Sequence, residues 1–143
     1  MSDRPERAIR ILLADASRLT TMGIRQVIEK ESDMEIVGVA SDGEEAVELA
    51  SDLLPDVVLI DADLPDLDGL EVTRRICEGS SPRMVILTGA EPDVDAVEAH
   101  DAGAGAYLPK ARSAADLLDT LEFTALLLDA ADALPQKPSV QPT

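Results

Sequence analysis

Asp15, Asp61, Thr88 and Lys110 share one kind of position: each follows a short apolar run, directly or within two residues. If those runs are neighbouring strands, Asp15 and Asp61 lie side by side. Two adjacent carboxylates repel unless a cation sits between them. Mg²⁺ suits such a pair, because it takes one or two carboxylates and completes its shell with water and phosphate oxygens. Thr88 adds a hydroxyl donor and Lys110 a point charge. Together these groups are equipped for phosphoryl transfer, with one Asp attacking phosphorus and the cations neutralising the equatorial oxygens. Each residue has a plainer use alone: Asp after a strand caps helices or forms turns, Thr ends strands, and Lys coats surfaces. Their joint occurrence at four strand ends favours the chemistry.

The elements that would position them alternate along the chain. Strands are expected at residues 9–14 (IRILLA), 34–40 (MEIVGVA), 56–60 (DVVLI), 84–87 (MVIL) and 105–108 (GAYL). Helical spacing fills residues 17–31, 42–50, 68–78 and 91–102, and a long last helix runs from 113 to about 133. Five strands alternating with five helices imply a parallel sheet covered on both faces. Residues 57–60 are apolar throughout, as a central strand requires. In such a sheet, ligands bind beyond the carboxyl ends of the strands, where the four residues fall. The end of the second strand, Ser41 and Asp42, reads as uninformative. Residues 1–8 read as an N-terminal extension, 9–134 as the domain, and 135–143 as a disordered Pro-rich tail.

Composition narrows the class. The chain has 143 residues, 12 Lys plus Arg against 29 Asp plus Glu, and a net charge of −17. That field repels phosphate backbones and anionic membranes, so neither nucleic acid nor membrane is expected as a partner. One Tyr, one Phe and no Trp offer no platform for stacking bases. The hydrophobic share of 45% excludes a disordered chain. No apolar run approaches the roughly 20 residues of a membrane span. Cys77 is alone, which fits a reducing compartment, and the expected location is cytoplasmic. Glu91, Asp93, Asp95, Glu98 and Asp101 read as a solvated helix face, and His100 as surface.

At these residues the chain resembles the receiver domain of two-component response regulators, from Ile9 to about Leu121. The most specific stretch is DVVLIDADLPDLDGLEVTRRI, with Pro65 four residues and Gly69 eight residues after Asp61. SDGEEAVELA, ILTGA and GAGAYLPK match independently and in order. The resemblance implies a flavodoxin-like doubly wound (βα)5 fold with strand order 2-1-3-4-5. It implies that Asp61 accepts phosphoryl from a histidine kinase or phosphotransfer protein, with Mg²⁺ held by Asp15, Asp61 and the backbone carbonyl of Asp63. Thr88 and Lys110 would contact the phosphoryl group, and Thr88 and Tyr107 would form the switch. Gly89 would keep the approach to Asp61 open. Output would leave through helix four, strand five and helix five. The closest likeness is to receivers carrying a helix-turn-helix output domain. None follows here, so a stand-alone receiver contacting a downstream protein partner is expected.

Three departures qualify the likeness. The family usually has a second acid after strand one, where this chain has Ala16. Mg²⁺ binding, and phosphotransfer with it, should weaken. The family often has Pro after the active-site Lys; here Pro109 precedes Lys110 and Ala111 follows. A cis Lys110–Ala111 bond would cost about 3 kcal/mol. The last helix also carries more apolar residues than one stripe needs: Leu117, Leu118, Leu121, Phe123, Leu126, Leu127 and Leu128. That surplus either packs on the sheet or forms a homodimer contact. Two other functions stand beside the first. One is a degenerate, phosphorylation-independent receiver acting as an interaction module. The other is a haloacid-dehalogenase-type phosphatase, whose nucleophile motif also reads apolar strand then Asp-x-Asp, as in LIDADLP. The receiver reading expects no enzyme activity beyond its own phosphorylation and dephosphorylation.

Overall fold

The computed structural model describes residues 8–80, 82–89, 96–109, 118–124 and 126. Five parallel strands form one sheet: β1 (Ile9–Ala14), β2 (Met34–Ala40), β3 (Val57–Asp61), β4 (Met84–Gly89) and β5 (Ala106–Pro109). Their order is β2-β1-β3-β4-β5, as expected, with β3 in the centre and buried throughout. The helices are α1 (Arg18–Glu29), α2 (Gly43–Leu53), α3 (Gly69–Gly79) and α4 (Ala96–Ala102). Residues 118–124 form part of a last helix, α5.

The two-residue period of the strands separates the core into two layers. Leu12, Ala14, Val58, Ile60, Val85 and Leu87 pack with Ala46, Ala50, Val72, Ile76 and Ala99 of α2, α3 and α4. The alternate positions Ile11, Leu13, Val57, Leu59 and Ile86 pack with Ile28 of α1 and Leu121 of α5. Both faces are covered, so the strands need no polar side.

The boundaries shift in ways that matter at the site. β4 runs two residues beyond the apolar MVIL, because Thr88 and Gly89 still pair with β5. Asp61 is likewise the last residue of β3, paired with Thr88. α2 continues three residues past the expected end, and closes on Leu54 in the left-handed conformation at φ 49°. β2 carries a bulge that alternation alone does not reveal: Ile11 pairs with Ile36 but Leu12 with Gly38, so Val37 is extra. A bulge in an edge strand discourages pairing with other chains.

The last helix divides its apolar surplus. Leu121 is 2% exposed and Leu118 packs beside it, whereas Phe123 and Leu126 are 61% and 67% exposed. Leu117, Leu127, Leu128 and the tail lie outside the described residues, as do Glu91, Asp93 and Asp95. Glu98, His100 and Asp101 are exposed, and Cys77 sits half-buried at the core edge.

Candidate functional site

The site forms at the carboxyl edge of the sheet. Ala14 and Ile60 are register partners on β1 and β3, so Asp15 and Asp61 are the next residues along adjacent parallel strands. Both are buried, at 7% and 5% exposure. The Asp15 N–H continues the sheet by donating to the Ala40 carbonyl at 2.9 Å. Its Oδ1 accepts from the Ser17 N–H at 2.8 Å. Ser17 then caps α1, its Oγ accepting from the Thr20 N–H at 3.2 Å. Burying a carboxylate is tolerable only with such donors.

Asp61 Oδ1 accepts from the Asp63 N–H at 2.9 Å, which folds the start of the following loop back over the carboxylate. The Ala62 N–H donates to the Thr88 carbonyl at 2.6 Å, and the Gly69 N–H to the Ala62 carbonyl at 2.9 Å. Thr88 lies directly across from Asp61, with Oγ1 3.5 Å from the Ile60 carbonyl. Asp15, Asp61 and Thr88 share a recess of about 10 Å³ floored by Ile24 and Leu59. A wider groove beside it, about 180 Å³, runs past Asp15, Ala16, Met22 and Arg25 of the α1 side.

The structure therefore brings together three of the four residues chosen for chemistry. Lys110 lies outside the described residues, and with it the Lys110–Ala111 bond. Its neighbour Pro109 pairs with Gly89, so β5 reaches the same sheet edge. Asp63 touches the site through its backbone, while its side chain is exposed. Tyr107 pairs with Leu87 and packs half-buried on the α3 side of the core. Ala16, which stands where the family usually has a second acid, is exposed. Among the described residues no three His, Cys, Asp or Glu side chains converge, so the acidic pocket is a pair. A pair of buried carboxylates still fits a hard cation, with less charge to hold it.

Two further carboxylates stand nearby, neither of them a candidate from the sequence. Asp42 is the N-cap of α2, its Oδ1 accepting from the Glu45 N–H at 2.8 Å. Asp66, in the loop after Asp61, reaches the same helix start and accepts from the Gly43 and Glu44 N–H groups at 2.6 and 3.0 Å. The Gly43 N–H foremost, and those of Glu44 and Leu67, hold the Asp66 carboxyl below the usual carboxylate range, against a smaller opposing effect of burial. The DG of SDGEEA marked the cap. Asp66 carried no signal, since its partners are 22 and 23 residues away.

Comparison with protein families matches residues 11–122 to the response regulator receiver domain. The chain belongs to that family. The transcriptional regulatory protein LiaR of Bacillus subtilis is 40% identical over 114 residues, 79% of this chain and 54% of that protein. The nitrate/nitrite response regulator NarL of Escherichia coli K12 is 38% identical over 116 residues, 80% of this chain and 54% of its own. The receiver thus spans about half the length of these curated relatives. Among solved structures, the signal receiver domain of NarL from Mycobacterium tuberculosis superimposes with a TM-score of 0.72 at 30% identity. It covers 91% of this chain and all of that one. This membership removes the phosphatase alternative: the DAD motif closes the central third strand of a receiver sheet. Among the described residues no helix is long and apolar enough to cross a membrane.

Proposed function

We propose that this receiver accepts a phosphoryl group on Asp61 and signals by protein contacts that depend on it. The carrying observation is the strand register that sets Asp61 beside Asp15 on one side and Thr88 on the other. An Asp61 carboxylate oxygen would attack phosphorus of a phosphohistidine on a histidine kinase or phosphotransfer protein. The O–P bond forms as the N–P bond breaks, and the imidazole leaves and takes up a proton. The Asp63 N–H holds Oδ1 and so fixes the carboxylate plane before attack. Thr88 would donate its hydroxyl to a phosphoryl oxygen, and Lys110 would supply a countercharge. Asp15, Asp61 and the Asp63 carbonyl would hold Mg²⁺, which supplies positive charge for the transferring phosphoryl group.

The donor would dock over α1, where Leu19 and Met22 are 81% and 56% exposed and Met22 lines the groove beside Asp15. Output would use α4, β5 and α5. Tyr107 links the site to that face, and exposed Phe123 and Leu126 offer the apolar contact for a second copy or a downstream protein. A charge of −17 supports proteins as the receiver's direct partners. The lone Cys77 agrees with a cytoplasmic setting, and no turnover of outside substrates is assigned to the domain.

Ala16 favours a second reading, in which the pocket is too weakly charged to bind Mg²⁺ and the receiver signals without phosphate. One experiment separates them. The protein is incubated with acetyl phosphate and Mg²⁺ and its intact mass measured. A phosphoryl adduct that Asp61→Asn abolishes supports the first reading. No adduct at high Mg²⁺ supports the second, and an adduct that persists in Asp61→Asn overturns the assignment of the acceptor.

A further inference from the structure

We propose that Asp66 is a positioning residue: it ties the loop that follows the acceptor to the start of α2 and so holds the acceptor's surroundings in shape. The inference deepens the phosphoryl-acceptor reading and rests on it for its functional consequence. The loop from Asp61 to α3 is anchored at its first half by Asp63 on Asp61 and by Ala62 on Thr88. Its second half has a different anchor. Asp66 Oδ1 accepts from the Gly43 N–H at 2.6 Å and the Leu67 N–H at 2.9 Å, and Oδ2 accepts from the Glu44 N–H at 3.0 Å.

The first N–H groups of a helix have no partner within it. In α2 they are shared between two carboxylates from different parts of the chain. Asp42 takes the Glu45 N–H, and Asp66 takes those of Gly43 and Glu44. The contact is close enough to dictate the residue opposite. A Cβ on Gly43 would lie 2.8 Å from Val72 Cγ2 and 3.0 Å from Leu67 Cβ. Glycine there lets α2 settle on the loop. The helix is itself braced against α3, where Arg75 Nη1 meets Glu44 Oε1 at 3.2 Å and Arg75 Nε meets Glu71 Oε2 at 3.0 Å. Asp66 thus fastens the loop to the start of α2, a helix that is itself packed on α3. The backbone it steadies is the stretch that presents Asp63 to Asp61.

The test is amide hydrogen exchange on the full chain and on Asp66→Ala and Asp66→Asn. If Asp66 positions the loop, the Asp63 and Gly69 amides, which do not touch it, exchange about tenfold faster in Asp66→Ala while β1 and β3 keep their protection. Asp66→Asn, which keeps an acceptor oxygen, recovers most of the protection. Phosphorylation of Asp61 by acetyl phosphate slows in parallel. Faster exchange confined to Gly43, Glu44 and Leu67 would reduce Asp66 to a helix cap and overturn the proposal. Should the unaltered protein take up no phosphoryl group, the acceptor reading fails, yet the exchange pattern still decides the role of Asp66.

Discussion

The Tyr107 hydroxyl stands in the space that a side chain at position 89 would need: a Cβ on Gly89 would lie 2.7 Å from it and 3.3 Å from Ala62 Cβ. The glycine was expected to keep the approach to Asp61 open. What fills the clearance is the tyrosine of the neighbouring strand, turned toward the site edge. Adding a methyl group there costs about 1–3 kcal/mol by overpacking unless the ring moves. Gly89→Ala should therefore drive Tyr107 outward. Tyr107 is the only tyrosine in a chain without tryptophan, so its fluorescence is unambiguous. Acrylamide should quench it more strongly in Gly89→Ala; unchanged quenching with a destabilised fold would mean the ring stays and the strands shift.

Restoring the absent acid tests the electrostatics of the pocket. Ala16→Asp should raise Mg²⁺ affinity roughly tenfold, about 1.4 kcal/mol, as read by calorimetry. Without Mg²⁺ the same variant should melt at a lower temperature, because a third carboxylate crowds two that are already buried. Calcium-free, magnesium-free buffer separates the two effects.

The division of the last helix into inward and outward residues predicts opposite phenotypes on one element. Leu121→Ala removes a side chain that is 2% exposed and should cost about 2–4 kcal/mol in urea unfolding. Phe123→Glu replaces one that is 61% exposed and should leave the unfolding midpoint nearly unchanged. It should weaken self-association in sedimentation if α5 is the contact. A monomer at every concentration, phosphorylated or not, would remove the dimer from the proposal.

Asp66 also predicts a pH dependence with a definite sign. Its carboxyl is held below the ordinary value of 3.8 in the folded protein. The unfolded chain therefore takes up the proton first as pH falls. Stability from this group is complete above the ordinary value and is lost as pH drops through the lower, folded value. Asp66→Asn should remove that component: the gap in urea midpoint between the two proteins should be largest near neutrality and close as pH falls through the lowered, folded value.

The sheet was legible because burial on both faces demands uninterrupted apolar runs, and those runs announced themselves between polar caps. Asp15, Asp61 and Thr88 followed from the same logic, since a parallel sheet collects its strand ends along one edge. Asp66 and the bulge at Val37 were not legible. A hydrogen bond to an amide 23 residues away leaves no periodic trace, and MEIVGVA has no clean alternation for a one-residue slip to break. Tyr107 was identified through resemblance, while its seat against Gly89 required the register of β4 with β5.

Cys77 supplies a reporter for that same region. The turn between α4 and β5 passes Gly103, at φ 115°, so closely that a Cβ there would lie 2.6 Å from the Cys77 sulfur. Burial pushes the thiol pKa up, which slows its reaction with alkylating reagents near neutrality. Motion that lifts this turn from α3 would expose the sulfur further, and the turn leads directly into the strand that carries Tyr107. The chain has no other cysteine. A change in the rate at which iodoacetamide modifies this half-buried thiol therefore reports a change in how closely the α4–β5 turn covers it, without a label having to be introduced. Comparing that rate with and without acetyl phosphate would show whether phosphorylation loosens or tightens the turn.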